Sequence, residues 1–411
     1  MTADIFESPI PLYLDKPDPT DPNTTATDLT ATLPVREKPR LLLSTGAWAG
    51  SNDGSVQGQL LLRNIFGGAE SLSATAARGT RTRSAYSATF DTPILSNPDF
   101  RFELSGLAST TQKIWASHEE ILQGGFAKFR YGTESGHRHE LSYSGLWRQL
   151  TGLAENASPS IRQDAGDSLK SSITHTWTKD ERDSPVLPSS GTLMKTVAEV
   201  AGAGPLAGDV AFAKAEAESQ VALPLLRNSG ISFTAGLRGG VLYPLALGWD
   251  PLGAPPQNSR VNDRFMLGGP TDVRGFRLAG LGPRDGNDSV GGDVYAAGGA
   301  SLYLPFPRVA KDVPLRLQLF MNGGRLLGLQ DPRSSSEKEG ASPLSPADVR
   351  QSVMSTVAEL GNEMPGIAAG LGVVYAMPVA RFEVNFSLPL IVRKGEEARK
   401  GLSLGVGVSF L

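Results

Sequence analysis

The 411-residue sequence contains no cysteine, which excludes a disulfide framework, a zinc–thiolate site and a cysteine nucleophile. It also lacks a basic excess, and a formal net charge of −3 gives no electrostatic basis for binding nucleic acid. No run of roughly 20 apolar residues could form a spanning helix, and residues 1–30 are acidic where a secretory signal would be apolar. These absences alone favour a soluble cytoplasmic protein, but the strand pattern points elsewhere.

Apolar residues alternate with polar or small residues along much of the chain. Residues 381–388 are apolar at even and polar at odd positions, and residues 402–410 place Leu, Val and Phe opposite Ser and Gly. Alternating segments of 9 to 13 residues exceed the usual strand length of about 5–6. They match the roughly 9–11 residues that cross a bilayer at a tilt. One apolar face and one polar face are what a membrane barrel with a wet lumen requires.

The pattern therefore predicts an all-β membrane protein, a 16-stranded antiparallel transmembrane β-barrel over residues 40–411. The predicted strands are residues 40–51, 54–64, 69–79, 83–92, 99–111, 120–132, 138–151, 169–179, 191–201, 210–224, 230–246, 291–304, 313–325, 366–378, 380–390 and 401–411. Segments 69–79, 169–179 and 191–201 alternate poorly. Residues 1–39 form a separate segment with a strand or two and a flexible Pro/Asp/Thr tract, 17–32.

Two connections are long, residues 247–290 and 326–365. The second contains a predicted helix with Ser345 as N-cap, Pro346 at the first position and Asp348 completing a capping box. Its apolar face and its end are predicted from residues at helical spacing: Val349, Val353, Val357, Leu360 and the terminating Gly361. We expect this helix to lie across the barrel mouth or against a partner.

The first long connection carries the strongest motif of the sequence. Its central residues are Leu267, Gly268, Gly269, Val273, Arg274, Gly275 and Phe276. A loop with so much apolar surface must be buried, and an arginine buried with it needs acceptors. We therefore predict that this loop folds inward.

The motif resembles the Val-Arg-Gly-Phe motif of the outer-membrane barrel-assembly superfamily, which includes bacterial BamA and the core barrel subunits of the mitochondrial sorting and assembly machinery (SAM complex). Two further motifs support the resemblance, a strand that receives the arginine in the lumen and an Asp-containing turn: Phe320, Asn322 and Gly324, and Asp180, Asp183, Pro188 and Gly191. Asn322 replaces the family's acceptor aspartate, so we expect Arg274 to make neutral hydrogen bonds there. Glu216 or Glu218 could supply a carboxylate, and packing should hold the loop more than an ion pair does.

The resemblance implies an insertase for β-barrel precursor proteins, with residues 1–39 as a POTRA remnant. A precursor's C-terminal β-signal would pair with the first strand at a lateral gate between first and last strands. The predicted gate residues are Leu41, Leu43, Thr45, Gly46, Ala47, Ser403, Gly405, Val408 and Phe410. Small residues at the seam would weaken the pairing that removes a barrel's edges.

Three features favour the mitochondrial outer membrane over a bacterial one. They are the missing secretory signal, room for at most one POTRA domain, and a last strand, 403–410, that resembles the mitochondrial β-signal. The N-terminus would face the intermembrane space. Implied partners are β-barrel precursors, peripheral SAM receptor subunits on the cytosolic side and the lipid bilayer; a homodimer stays open.

Other functions are weighed against this interpretation. A bacterial-type assembly or secretion barrel and a passive pore remain alternatives, whereas a hydrolase needs a His/Ser/carboxylate cluster that the sequence does not offer. His137 and His139 have a metal-binding spacing but no predictable third ligand. The carboxylates at 180–183 are read as a turn and not as an acid–base pair. We expect no catalytic residue, cofactor or metal.

Overall fold

The structure is a computed structural model that describes residues 5–7, 10–16, 29–49, 54–225, 229–309, 313–329, 345–377 and 380–407, the side chains of residues 48 and 49 excepted. A 16-stranded sheet dominates it, with consecutive antiparallel neighbours throughout. The strands are β1 Leu41–Ala49, β2 Gly54–Arg63, β3 Ser71–Gly79, β4 Thr82–Ile94, β5 Asn97–Lys113, β6 His118–Gly132, β7 His137–Thr151, β8 Gly166–Asp180, β9 Gly191–Ala201, β10 Phe212–Pro224, β11 Ser232–Pro244, β12 Val294–Pro305, β13 Leu315–Leu327, β14 Gly366–Ala376, β15 Arg381–Ile391 and β16 Gly401–Gly407.

All sixteen predicted strands are present at the predicted places. The three poorly alternating segments are also strands, because ladder hydrogen bonds to both neighbours decide them and the side-chain pattern does not. Several strands run longer than predicted, with β5 spanning 17 residues. Among the described residues, the hydrogen-bonded order begins at β1 and ends at β16.

The polar face of the sheet is buried and the apolar face is exposed, which inverts the arrangement of a water-soluble protein. On β15, Glu383 and Asn385 are 0% exposed, whereas Val384 and Phe386 are 47% and 37% exposed. Exposed apolar side chains on the outside suit a hydrocarbon surround, and buried polar ones suit a wet lumen. The fold is thus the predicted membrane barrel.

One contact shows how strongly the sheet curves. The guanidinium of Arg381 on β15 lies 3.5 Å from the carbonyl oxygen of Val186, which belongs to the β8–β9 connection. Strands β9 and β15 are six spacings apart, about 29 Å in a flat sheet. The five residue-to-residue steps from Val186 to Gly191 reach at most about 18 Å. The sheet must therefore curl, so that distant strands face one interior.

Among the described residues, two α-helices accompany the strands. The short α1, Pro159–Gln163, lies in the β7–β8 connection and was not predicted. The predicted helix is present as α2, Pro346–Asn362, with the Ser345–Asp348 capping box formed. Two details differ: the helix runs past Gly361, and Val357 is 44% exposed while Thr356 is buried. Among the described residues, no helix has the length and apolar character to cross a membrane.

Helix α2 packs against β11, β12 and β13. It covers Arg325, which alternates with the inward residues of β13 and so lies on the outer face. The Arg325 guanidinium donates to the Glu359 carbonyl and lies 3.1 Å from the Glu363 carboxylate. The helix therefore covers the outer face of the wall at this end, and not the open lumen.

The N-terminal segment contains one small strand pair, Tyr13–Asp15 with Thr30–Thr32. A further bridge joins Phe6 to Glu37. The predicted linker 17–32 is thus too long by its last three residues, which pair as a strand because a partner lies opposite. The POTRA assignment remains a prediction.

Candidate functional site: the lumen loop and its receptor

The β11–β12 connection, residues 245–293, folds into the interior as predicted and is called the lumen loop here. Its apolar side chains form one cluster with the inner wall, and those of the loop are Phe265, Leu267, Val273, Phe276 and Leu281. Val273 is 0% exposed and Arg274 only 1% exposed. Burying an aliphatic or aromatic side chain is worth about 1.5–3 kcal/mol each, so this packing fixes the loop in the barrel.

Arg274 is held by a buried ion pair. Its Nε donates to Glu383 Oε2 at 3.0 Å and its Nη2 donates to Oε1 at 3.2 Å. Both side chains are 0% exposed. A bidentate pair of this kind fixes both position and orientation. The expectation that neutral contacts dominate is therefore wrong, and so are Glu216 and Glu218 as its carboxylates, because β15 supplies the partner.

Glu383 is shared with a second arginine, Arg381, two residues earlier on the same face of β15. Asn385 Nδ2 donates to Glu383 at 2.7 Å, and Arg381 donates to the Tyr303 hydroxyl at 2.6 Å. One carboxylate thus forms ion pairs with two buried guanidiniums. Removing it would take this shared partner from both, and breaking a buried ion pair from one side is costly.

The three predicted receptor residues on β13 all contact the lumen loop. The Phe320 ring lies beneath the Arg274 guanidinium, 4.9 Å from ring centre to Cζ. A Cβ on Gly324 would lie 2.7 Å from Leu267 Cδ2, so a larger residue here would require the Leu267 side chain to shift. The receptor residues thus lie on one strand beside the loop motif, and their receptor role remains a prediction.

Asn322 binds the backbone of Arg274 and not its guanidinium. With the amide oriented to satisfy both of its ends, the oxygen accepts from Arg274 N–H at 2.8 Å and the nitrogen donates to Arg274 C=O at 3.2 Å. A carboxylate could make only the first of these hydrogen bonds. An asparagine is therefore matched to this position, and Glu383 supplies the charge.

Gly275 lets the loop reach the wall. Its φ of +86° is in the left-handed region, and a Cβ there would lie 2.5 Å from Ala368 Cβ. Any larger residue would be strained in backbone and displaced from β14. The close approach beside Arg274 thus requires glycine at position 275.

The lumen loop also pairs with the connection between β15 and β16. Arg277 N–H donates to Glu397 C=O at 3.0 Å, and Glu397 N–H donates to Gly280 C=O at 2.8 Å. Arg399 N–H donates to Gly275 C=O at 2.8 Å. The motif is therefore fastened to the last hairpin by backbone hydrogen bonds as well as by side chains.

The Asp-containing turn lies between β8 and β9 as predicted. Asp183 Oδ1 accepts from the N–H groups of Ser184, Ser189 and Ser190, and Asp180 accepts from Arg182. Burial alone would raise the pKa of Asp183, but the hydrogen bonds led by Ser189 outweigh it and hold that pKa below its usual value. The carboxylates organise the turn.

Pro188 lies within this turn and Gly191 begins β9 with a φ of +102°. The turn reaches the ion network, because the Val186 carbonyl accepts from Arg381. The loop motif and the turn are thus joined through Arg381 and Glu383, and the receptor strand contacts this network through Phe320 beneath Arg274. The sequence separates these groups by up to two hundred residues, and the barrel brings them together.

A second anchor holds the start of the lumen loop. Arg148 on β7 binds Asp263 through two bonds, 2.6 and 3.2 Å, with both side chains nearly inaccessible. Lys214 on β10 donates to the Asp263 carbonyl at 3.1 Å and lies 4.2 Å above the Phe265 ring. Sequence reasoning missed this pair, as it missed Glu383. A charged residue on the inner face of an alternating strand is the signal that could have found both wall residues.

The predicted gate residues lie at the two ends of the strand order. Leu41, Leu43, Thr45, Gly46 and Ala47 are on β1 and exposed, with Leu43 at 71%. Ser403 and Gly405 are on β16, and Val408 and Phe410 lie outside the described residues.

His137 and His139 each contact an aromatic side chain of β8. His137 Nδ1 accepts from Trp177 Nε1 at 3.0 Å, and His139 stacks on His175 with 3.3 Å between ring nitrogens. All lie on the outer face of β7 and β8. In the part of the chain that the structure describes, no group of three or more His, Asp or Glu side chains is suited to hold a metal ion.

Comparison with known proteins agrees with this geometry. Residues 64–410 match the Omp85 superfamily domain. The chain is 39% identical over 385 residues to a SAM50-like protein of Schizosaccharomyces pombe, covering 93% of this chain and 75% of the relative. It is 33% identical over 388 residues to the sorting and assembly machinery component 50 homolog of Homo sapiens, covering 93% and 76%.

Among solved structures, the fold is similar to BamA from Haemophilus ducreyi lacking POTRA domains 1–3. The TM-score is 0.74 at 12% identity, covering 98% of this chain and 76% of that one. At this identity the likeness concerns the fold. Taken with the family match and the relatives, the chain belongs to the Omp85 superfamily and, within it, to the SAM50 family.

Proposed function

We propose that the chain is an insertase that folds β-barrel precursors and inserts them into the mitochondrial outer membrane. A precursor's C-terminal β-signal pairs with β1 at a lateral gate between β1 and β16. The N-terminus faces the intermembrane space, peripheral receptor subunits bind on the cytosolic side, and the surrounding partner is lipid. Membership of the SAM50 family supports the overall role.

The proposed gate is supported by the side-chain exposure and the hydrogen bonding of the first strand, β1. Side chains 41–47 are all exposed, and within the described residues β1 is hydrogen-bonded to β2 alone. An edge strand presents unpaired N–H and C=O groups that template another strand. Among the described residues, the outer edge of β1 is thus available for β-augmentation, and burial of apolar precursor strands in lipid drives insertion without a nucleotide.

The lumen loop argues for an insertase over a passive pore. Buried ion pairs to β7 and β15 hold it across the interior. A pore needs an unobstructed path, and a loop fixed at both sides narrows it. Backbone pairing with the β15–β16 connection places the motif beside the last strand, where a gate has to be controlled.

The absence of cysteine makes the gate testable by crosslinking. Single cysteines at Leu41, Leu43 and Thr45 should form disulfides with cysteines in a precursor's β-signal during import, in one consistent register. The matched control is Ile173→Cys on the outer face of β8, which is similarly exposed but has partners on both sides. Equal crosslinking at both strands, or none on β1 in any register, contradicts the gate.

A further inference from the structure

A cavity of about 820 Å³ lies between the motif and the end of the barrel wall. It is enclosed by the lumen loop, the β3–β4 and β5–β6 turns and the β15–β16 connection. Five cationic side chains line it, with one carboxylate: Arg81, Arg277, Arg284, Arg399 and Lys400, with Glu397. In a chain of net charge −3, this is a marked local excess of positive charge.

The single carboxylate is already engaged. Glu397 lies 3.5 Å from Arg277 Nη1 and 3.0 Å from Arg284 Nη1. Arg399 and Lys400 are exposed, and no carboxylate of the described residues forms an ion pair with either. Like charges held together in a partly enclosed space raise the local concentration of anions.

Two polar groups on the cavity wall also lack partners. Trp115 Nε1 and Ser403 Oγ are buried atoms with no hydrogen-bond partner in the described part of the chain. An unsatisfied buried donor costs about 1–3 kcal/mol, which a bound acceptor would recover. Because Ser403 belongs to β16, the cavity borders the inner face of the last strand.

We propose that this cavity binds an acidic stretch of polypeptide, with carboxylates facing Arg399 and Lys400 and an acceptor at Trp115 Nε1. A single small anion would occupy only a minor part of the volume, whereas successive carboxylates of an extended segment match several spaced cations. Its role during insertion rests on the proposed function, since a transiting precursor is the segment that passes β16. The binding itself does not depend on it.

The test uses the full chain in nanodiscs of neutral phosphatidylcholine and a short fluorescent peptide of alternating Asp and Ser. A matched peptide carries Asn in place of Asp. Measured by fluorescence anisotropy, the affinity of the Asn peptide should be at least about tenfold lower than that of the Asp peptide. The double variant Arg399→Gln with Lys400→Gln should lower the affinity for the Asp peptide by about tenfold. The control, Arg350→Gln with Lys394→Gln, removes the same charge outside the cavity and should bind as the unaltered chain does.

Equal affinity for the two peptides, or equal affinity in the two double variants, would overturn the proposal. Displacement by inorganic phosphate, but not by sodium chloride of the same ionic strength, would assign a small-anion site instead. Trp115→Phe is an independent test, because it should weaken binding of the acidic peptide without changing the salt dependence of that binding. Precursor insertion is assayed separately. If the double variant loses peptide binding but inserts precursors normally, the cavity has no role in insertion; if binding is intact but β1 forms no crosslinks, the gate alone is rejected.

Discussion

The wall β13–β15 and the edge strand β1 belong to one sheet but are stabilised differently. On the wall, Glu383 and Asn385 are fully buried and bound on their inner side. On β1, every described side chain is exposed, and within the described residues the strand is hydrogen-bonded only to β2. The wall therefore resists any change at the loop, whereas the edge can separate at the cost of little more than backbone pairing.

The proposed gate has to combine a fixed framework with a part that opens, and the wall and the edge provide these two properties separately. A region held by buried ions and close packing opens only when much of the molecule unfolds, whereas an edge with few contacts opens locally. The lumen loop is fastened to the rigid side and to the β15–β16 connection. If the proposed gate opens, we therefore expect movement at the seam while the lumen loop keeps its place.

The largest expected effect is at the shared carboxylate. Glu383→Gln preserves volume but removes the carboxylate that Arg274 and Arg381 share, and should lower the free energy of unfolding by about 3–5 kcal/mol. Urea unfolding of the barrel in lipid vesicles measures it. Glu216→Gln, also on the inner wall but bound to Tyr295 at 3.3 Å, should cost far less. Similar losses for both variants would reject the wall as the rigid side.

The hydrogen bonds between the Asn322 side chain and the Arg274 backbone predict that Asn322→Asp lowers stability, whereas a contact with the Arg274 guanidinium would predict higher stability. Asn322→Asp removes the donor to the Arg274 carbonyl and sets a carboxylate oxygen against it, so stability should fall by about 1–2 kcal/mol. If the side chain contacted the guanidinium instead, the added charge would stabilise the protein. The direction of the change in unfolding midpoint decides between these geometries.

The turn that supports the wall should respond to pH. Because the pKa of Asp183 is lowered on folding from its ordinary 3.8, its contribution is present above that value and is lost as pH falls through the folded pKa. Asp183→Asn should therefore cost about 1 kcal/mol at neutral pH, and little at low pH. Unfolding of both proteins across the acid range measures this difference. A constant difference at all pH values would show that the carboxylate charge is not what matters.

The smallest effect is expected at the edge. A Cβ on Gly46 would have only Gln57 Cγ within reach, at 3.9 Å, whereas on Gly370 of β14 it would lie 2.3 Å from Phe386 O. Gly46→Ala should change unfolding by about 0.5 kcal/mol or less and Gly370→Ala by clearly more. The same substitution thus compares edge and wall directly in one unfolding assay. A larger loss at Gly46 would reverse the comparison.

Strand alternation predicted the fold well because one physical cause, a membrane outside and a wet lumen inside, acts on every strand. The loop motif, the receptor residues Phe320 and Gly324 and the turn were likewise recognisable from residue types. The partner of Arg274 was not, because Glu383 is 109 residues away in sequence and its strand was read only as alternating. Helix α1 was also missed, since five residues show too little periodicity.

Sequence by itself thus determined which residues face lipid, which face the lumen and that an arginine-bearing loop turns inward, since each follows from local period and polarity. Only the tertiary structure determined which residues contact Arg274. Sheet curvature brings β15, the β8–β9 turn and the lumen loop to one point, and long-range ion pairs form where the curled wall places the charges. The local sequence pattern does not reveal these ion pairs, because their formation depends on how sixteen strands curl together.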